Sequence, residues 1–557
     1  MHKGENKRIK KRPLHLQGKL WHVWLISPNF NGNSIGPIEL DSLADRCFLA
    51  FSSSPINNTT QHNPKIQNSL KPLFFTLTLS LKSHPSMAAS LILCLIFLVS
   101  TLSLLASSSP SSKATLNPTT FTVPLTPIFT KHPSSDPVKT FNSLASASLT
   151  RAHHLKHPKS KSPLAKTKVF PHSYGGYSIS LSFGTPPQTI PFLLDTGSSL
   201  VWFPCTSRYL CTDCDFPNVD PSKIPSFIPK LSSSSKIIGC KNPKCAWISG
   251  PNVVSRCQDC TNSENCTQAC PPYLLQYGSG STLGLSLSES LNFPEKVFTD
   301  FLVGCSIFST RQPAGIAGFG RSPESLPSQL GLSKFSYCLI SRTLDDSSEG
   351  SDLVLYRGSS SDSKTSGLSY TPFRKNPVSN NSAFLEYYYL NLRKVIVGGK
   401  SVNIPYKYLV PDGNGNGGTI VDSGTTFTFM EKPVFDAVTT AFETQMGNLP
   451  RAADVEAKSG LGPCYNLAGV KLEKVKFPDL TFHFKGGAKL ELPVVNYFAF
   501  AGNSSVVCLT IVTDSGFGPG QTVGPAIILG NFQQQNLYVE YDLENERFGF
   551  RQQSCNK

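Results

Sequence analysis

Residues 191–203 read PFLLDTGSSLVWF, and residues 418–430 read GTIVDSGTTFTFM. Both run through apolar residues to an aspartate, follow it with Thr or Ser, then Gly, then Ser or Thr, and return to apolar residues. A single Asp-Thr-Gly or Asp-Ser-Gly is best read as a turn between strands. Two in matching frames need more, because each aspartate ends an apolar strand, where a lone buried carboxylate is costly. Brought together, Asp195 and Asp422 would share one proton, since two like charges at close range cannot both ionise cheaply. One carboxyl is then an acid and the other a base. Such a pair activates water and polarises a peptide carbonyl with neither a metal nor a covalent intermediate. Gly197 and Gly424 let the backbone turn tightly and bring its N–H groups to the carboxylates. The hydroxyls of Ser198 and Thr425 are spaced to hydrogen-bond the outer oxygens.

The duplication extends beyond these turns. Gly-Ile-Ala-Gly (315–318) and Ile-Ile-Leu-Gly (527–530) close matching apolar runs, each about a hundred residues after its aspartate. A repeat on that scale predicts two similar lobes with a cleft between them, where ligand sites commonly form. The surrounding texture is mainly β: YSISLSF (177–183), FLEYYYLNLRKVIVGG (384–399), KLELPVVNYFAF (489–500) and NLYVEYDL (536–543) read as strands. One helix is clear, EKPVFDAVTTAFETQM (431–446), with a proline near its start.

The net charge of +15 is lopsided. Residues 1–170 hold 20 of the 51 Lys and Arg but 5 of the 36 Asp and Glu, so residues 171–557 carry 31 of each sign. A neutral body with a basic leader argues against a nucleic-acid enzyme. Residues 88–106, AASLILCLIFLVSTLSLLA, read as a signal peptide rather than a stable membrane span, because the run is short and interrupted by Ser100, Thr101 and Ser103. Translation is expected to start at Met87, with 1–86 a non-native or disordered extension. Fourteen of the 16 cysteines fall between Cys205 and Cys555, nine of them in 205–270, as in a disulfide-bonded secreted protein. The CxxC pairs Cys211/Cys214 and Cys257/Cys260 lie too far apart for a usual zinc ribbon, so no metal or other cofactor is expected. Asn265, Asn380 and Asn503 sit in glycosylation sequons. A serine or cysteine protease needs a histidine base. After His172 only His483 remains, in the alternating strand TFHFK. The glycine run GNGNGG (413–418) precedes an apolar run instead of opening a helix, so it reads as a hairpin loop and not as a nucleotide site.

Over residues 172–557 the sequence resembles the pepsin-like aspartic peptidases, and specifically their plant nepenthesin-type branch. The resemblance implies a mainly β, bilobal fold with the active-site cleft between the lobes and Asp195 and Asp422 as the catalytic pair. It implies that Thr196 and Ser423 lock the two active-site loops together. Trp202 corresponds to the family tryptophan, and Tyr277, with Gly278 and Ser279 in YGSGS, to the mobile flap over the cleft. Residues 205–270 resemble the branch's cysteine-rich insertion, and the resemblance pairs Cys338 with Cys555 and Cys464 with Cys508. One thiol among the nine clustered cysteines and Cys305 is expected to be free or unusually paired.

These readings divide the chain into an extension (1–86), signal peptide (87–108), basic propeptide (109–171), N-terminal lobe with the cysteine-rich insertion (172–370) and C-terminal lobe (371–557). The implied activity is that of an aspartic endopeptidase made as a zymogen, acting at acidic pH on peptide or protein substrates. The enzyme is expected to be monomeric and to lie in the cell wall, apoplast or vacuole. Its own propeptide is the other partner: lysines in 151–168 are expected to lie against the ionised carboxylates until acid releases them. The competing expectation is a catalytically silent protein of the same fold, acting as an inhibitor or binding protein.

Overall fold

The computed structural model describes residues 119–127, 137–156, 175–214, 223–257, 267–278, 280–312, 314–341, 350–358, 364–378, 382–501, 505–514 and 524–555. All lie in one compact unit, 108–557. The signal-peptide stretch, the extension, the three sequon asparagines, Ser279, Cys260 and Cys266 fall outside the described residues. Among the described residues no helix is long and apolar enough to cross a membrane.

The structure is mainly β. The two aspartate stretches fold alike because each is a run of buried aliphatic residues ending at a turn. Gln188–Asp195 pairs in parallel with Gly315–Gly318, and Thr419–Val421 pairs in parallel with Ile527–Leu529. Parallel neighbours buried on both faces require such continuous apolar runs, which is what the sequence supplies there. The N-terminal lobe adds the long hairpin Gly280–Phe293/Lys296–Thr310 to this sheet. The C-terminal lobe is built from smaller sheets, including Leu392–Val397 with Leu480–Phe484 and Lys489–Leu492. Between the lobes the sheet continues through Leu332–Cys338, Ser351–Arg357, Leu537–Asp542 and Arg547–Gln552. Its interior holds an aromatic group in which Phe335 stacks on Tyr541 at 4.4 Å.

Three sequence readings are revised. Residues 384–399 are not one strand: a short helical turn precedes Tyr388–Leu390 and Leu392–Val397. Residues 489–500 are likewise interrupted, because Pro493 starts a turn between Lys489–Leu492 and Phe498–Ala501. The glycine run 413–418 links the helical turn Tyr406–Leu409 to Thr419–Val421 and so is not a hairpin loop. Its first turn is pinned by Asp412 Oδ1, which accepts from the N–H groups of Asn414 and Asn416.

The leader contributes two elements to the same unit. Thr119–Pro127 is a strand inserted between Ser351–Arg357 and Tyr177–Phe183. It is followed by a 20-residue helix, Pro137–Lys156. Phe141, Leu144, Ala145, Ala152 and Leu155 of that helix are buried against Tyr387, Tyr389, Phe427, Phe429 and Phe532 of the C-terminal lobe.

Six disulfides join described cysteines: 205–305, 211–214, 240–257, 245–270, 338–555 and 464–508. Cys305 is therefore the partner of Cys205, bonded across adjacent strands, and both expected long-range pairs are bonded. Each CxxC segment has at least one sulfur committed to a disulfide.

Candidate active site

Both aspartates sit at the ends of buried strands, and neither side chain reaches solvent. Their surroundings are nearly superimposable in kind. Asp195 Oδ1 accepts from Gly197 N–H at 2.9 Å, and Oδ2 accepts from the Ser198 hydroxyl at 2.6 Å. Asp422 Oδ1 accepts from Gly424 N–H at 2.9 Å, and Oδ2 accepts from the Thr425 hydroxyl at 2.6 Å. Glycine is needed at both places for lack of space. A Cβ on Gly424 would lie 2.5 Å from Asp195 Oδ1, and one on Gly197 would lie 2.7 Å from Asp422 Oδ1. The facing turns are cross-linked by reciprocal bonds. Ser423 N–H donates to Thr196 Oγ1 at 2.9 Å, and Thr196 N–H donates to Ser423 Oγ at 3.1 Å. The Ser423 hydroxyl then donates to Leu194 O at 2.9 Å.

Trp202 and Tyr277 meet on the N-terminal side. The buried indole donates from Nε1 to Tyr277 Oη at 2.8 Å. Tyr277 ends Tyr273–Tyr277, the first strand of a hairpin with Gly280–Phe293. This hairpin lies over the leader helix: a Cβ on Gly278 would come within 2.7 Å of Thr150 O and the Arg151 backbone.

The residue between the aspartates was not singled out in the sequence. Arg151 places Nη2 2.5 Å from Asp195 Oδ1 and Nε 3.1 Å from Asp422 Oδ2. The expected cation against the pair is thus an arginine, whose planar fork spans two carboxylates where a lysine offers a single charge. Lys156 goes elsewhere, to Glu431. The remaining lysines of the 151–168 run lie outside the described residues. A sequence signal for the helix exists: Phe141, Leu144, Ala145, Ala152 and Leu155 recur at helical spacing. The leader also occupies a backbone donor beside the pair, with Phe427 N–H donating to Ser148 Oγ at 2.7 Å.

The electrostatics divide the two carboxyls. Burial pushes Asp195 up to about 6, the Asp422 charge adding to that and Arg151 opposing it. Asp422 is also buried, but Arg151, the Thr425 hydroxyl and Gly424 N–H hold it below the usual aspartate value. For Arg151 burial works against the charge, yet the two carboxylates outweigh it and hold the guanidinium charged. With Arg151 in place the pair favours one protonated and one ionised carboxyl at mildly acidic pH.

His483 lies on Leu480–Phe484 opposite Lys394 and Lys489, in a sheet that contains neither aspartate.

A two-lobed β protein with an aspartate turn beside a parallel ladder in each lobe, the two turns joined by reciprocal bonds, has the pepsin-like fold. Family models described as xylanase inhibitor N-terminal and xylanase inhibitor C-terminal match residues 177–355 and 387–552. A probable aspartyl protease of Arabidopsis thaliana is 33% identical over 422 residues, covering 68% of this chain and 82% of that protein. Aspartic proteinase nepenthesin-1 of Nepenthes gracilis is 34% identical over 387 residues, covering 68% and 78%. The chain belongs to the plant pepsin-like aspartic protease family. Among solved structures, edgp superposes with a TM-score of 0.53 at 20% identity, covering 80% of this chain and 96% of its own. Basic 7S globulin from soybean gives 0.51 at 17% identity, covering 79% and 99%. These two likenesses concern the fold.

Proposed function

We propose that the protein is a secreted aspartic endopeptidase made as a zymogen, with Asp195 and Asp422 as its catalytic pair and the 109–171 leader as its inhibitor. The observation that carries this reading is the matched, fully buried carboxylate pair with a leader guanidinium bonded to both members. The disulfides and the sequence before residue 108 support passage through the secretory pathway.

In the proposed reaction a peptide lies extended under the 273–293 hairpin, and one water sits between the carboxyls. The ionised carboxylate takes a proton from that water as its oxygen attacks the carbonyl carbon. The protonated carboxyl gives its proton to the carbonyl oxygen. The tetrahedral intermediate then breaks its C–N bond: the carboxyl that took the water proton gives it to the leaving nitrogen, the other carboxylate takes a proton from a hydroxyl of the intermediate, and the pair again shares one proton. Shared-proton chemistry of this kind is the established pattern for aspartic proteases. Ser198 and Thr425 fix the outer carboxylate oxygens, so the inner ones face the substrate.

Arg151 gives the proposed zymogen its pH response. The guanidinium lowers the proton affinity of both carboxyls. The net shift is downward only for Asp422, so at that carboxyl the closed state binds fewer protons than an ordinary aspartate does, and closing weakens as pH falls below the ordinary aspartate range and Asp422 takes up a proton. Asp195 runs the other way: burial holds it up at about 6 while closed, so its protonation below pH 6 does not oppose closing.

The test is cleavage of a denatured protein across pH 3–7, with and without pepstatin. Acid-dependent, pepstatin-blocked cleavage that disappears in Asp195→Asn is expected. Absence of cleavage by folded, leader-processed protein would overturn the reading in favour of an inhibitor or binding protein, the role for which the matching family models are named.

A further inference from the structure

The leader helix makes a second buried ionic contact with the cleft wall. Lys156, its last residue, bonds through Nζ to Glu431 Oε1 and lies over the Phe429 ring, 5.0 Å from the centroid. The two charged side chains are 7% and 9% exposed. The carboxylate is presented from rigid backbone. Glu431 N–H donates to Ala526 O at 2.9 Å, and Glu431 O accepts from Val434 and Phe435 N–H at the start of the helix Lys432–Met446. Opposite, Gly524 admits the Lys156 backbone so closely that a Cβ there would lie 2.4 Å from Lys156 Cα. Asp514, itself bonded to His153 at 2.6 Å, adds to the negative field at Lys156, while Lys407 acts on Glu431.

Glu431 stands nine residues after Asp422, one strand away from the dyad turn. Lys156 is five residues beyond Arg151, about 7.5 Å along a helix axis. In an extended peptide that distance corresponds to roughly two to three residues. The two side chains also diverge by about 140° around the axis, so a cation at this spot is two to about four substrate residues from the carboxylate pair. When the leader leaves, a carboxylate in an aromatic wall loses its buried partner, and such a group gains most from a new cation.

We propose, on the peptidase reading above, that Glu431 and Phe429 form a specificity pocket for a lysine or arginine side chain of the substrate, which Lys156 fills as a mimic before activation. Substrates would be peptides carrying a basic residue two to four positions from the bond that is cut.

The test uses the full chain after acid activation. Internally quenched peptides of one parent sequence carry lysine, norleucine or Nε-acetyl-lysine at the second, third or fourth position on either side of the cleaved bond. At one position lysine is expected to raise kcat/KM about tenfold over norleucine, as a charge-assisted contact of this kind would. Acetyl-lysine should give no gain there, and Glu431→Gln should bring the lysine-to-norleucine ratio towards one. The acetyl-lysine comparison needs no variant, so it stands even where Glu431→Gln fails to fold. Equal cleavage of lysine and norleucine peptides at every position, or a lysine preference undiminished in Glu431→Gln, would overturn the pocket. If no peptide is cut, the peptidase reading falls, and fluorescence polarisation of the same labelled peptides decides the pocket: about tenfold tighter binding of a lysine peptide supports it, and equal affinities refute it.

Discussion

Replacing Arg151 with methionine keeps most of the side chain's bulk and helix propensity and removes the charge between Asp195 and Asp422. Hydrogen bonds to charged groups contribute about 1.5–3 kcal/mol each, so two give roughly 3–6 kcal/mol. Part of this is recovered because Asp195, at about 6 while closed, relieves the repulsion by taking up a proton. A net weakening of helix docking by about 3 kcal/mol is a reasonable central value, or roughly a hundredfold in the closing equilibrium. The packing of Phe141, Leu144 and Leu155 remains, so the helix is loosened but not expelled. The assay is the progress curve of a quenched peptide at pH 6.5 and at about pH 3, below the ordinary aspartate range where protonation of Asp422 weakens closing. Wild-type protein should show a lag at the higher pH that shortens at the lower, and Arg151→Met should show little lag at either. Arg151→Lys should fall between, since one ammonium cannot match the guanidinium's reach to both carboxylates. A variant that folds with the wild-type melting temperature yet keeps the wild-type lag at both pH values would refute the electrostatic account of closure.

Other consequences are open to measurement. Gly424→Ala would push a methyl group to 2.5 Å from Asp195 Oδ1, and about a hundredfold loss of kcat/KM is expected from a displacement of that size; retained activity in steady-state kinetics would show that the turns can yield. Trp202→Phe removes the donor to the Tyr277 hydroxyl, at a cost of about 0.5–1.5 kcal/mol for one neutral hydrogen bond. Lowered kcat/KM with a modest drop in melting temperature is expected, and unchanged kinetics would detach the tryptophan from the hairpin. Replacing both Cys338 and Cys555 with serine opens a bond spanning 217 residues and should lower stability by about 2–5 kcal/mol in a denaturant titration.

The doubled aspartate turn was legible because its chemistry is local. An apolar run, an aspartate, a glycine and a hydroxyl must follow one another in sequence to make that turn. The structure brings Asp195 and Asp422 to facing turns, the juxtaposition read from the matching frames, and bonds Thr196 to Ser423, the link read from the resemblance. Contacts across long separations were less visible. Nothing near Cys305 marks it as the partner of Cys205, 100 residues earlier. Arg151 was one basic residue in a run of them, and its selection depends on which face of a helix enters the cleft. That helix went unread because basic and histidine residues interleave with its apolar stripe, and the stripe is completed only by Phe427, Phe429 and Phe532 of the far lobe. The strand breaks at Pro493 and after Leu385 were missed because apolar composition masked the turns.

The strand Thr119–Pro127 adds a kinetic consequence. It is held by seven register pairs to Ser351–Arg357 and three to Tyr177–Phe183, well upstream of the helix that blocks the aspartates. If the leader is removed by a cut at its 171 boundary, that cut severs the chain without dissolving either ladder. Departure of the leader would then be a dissociation with its own half-life. A preparation could pass as fully processed on a denaturing gel while still migrating, in native form, as a two-chain complex.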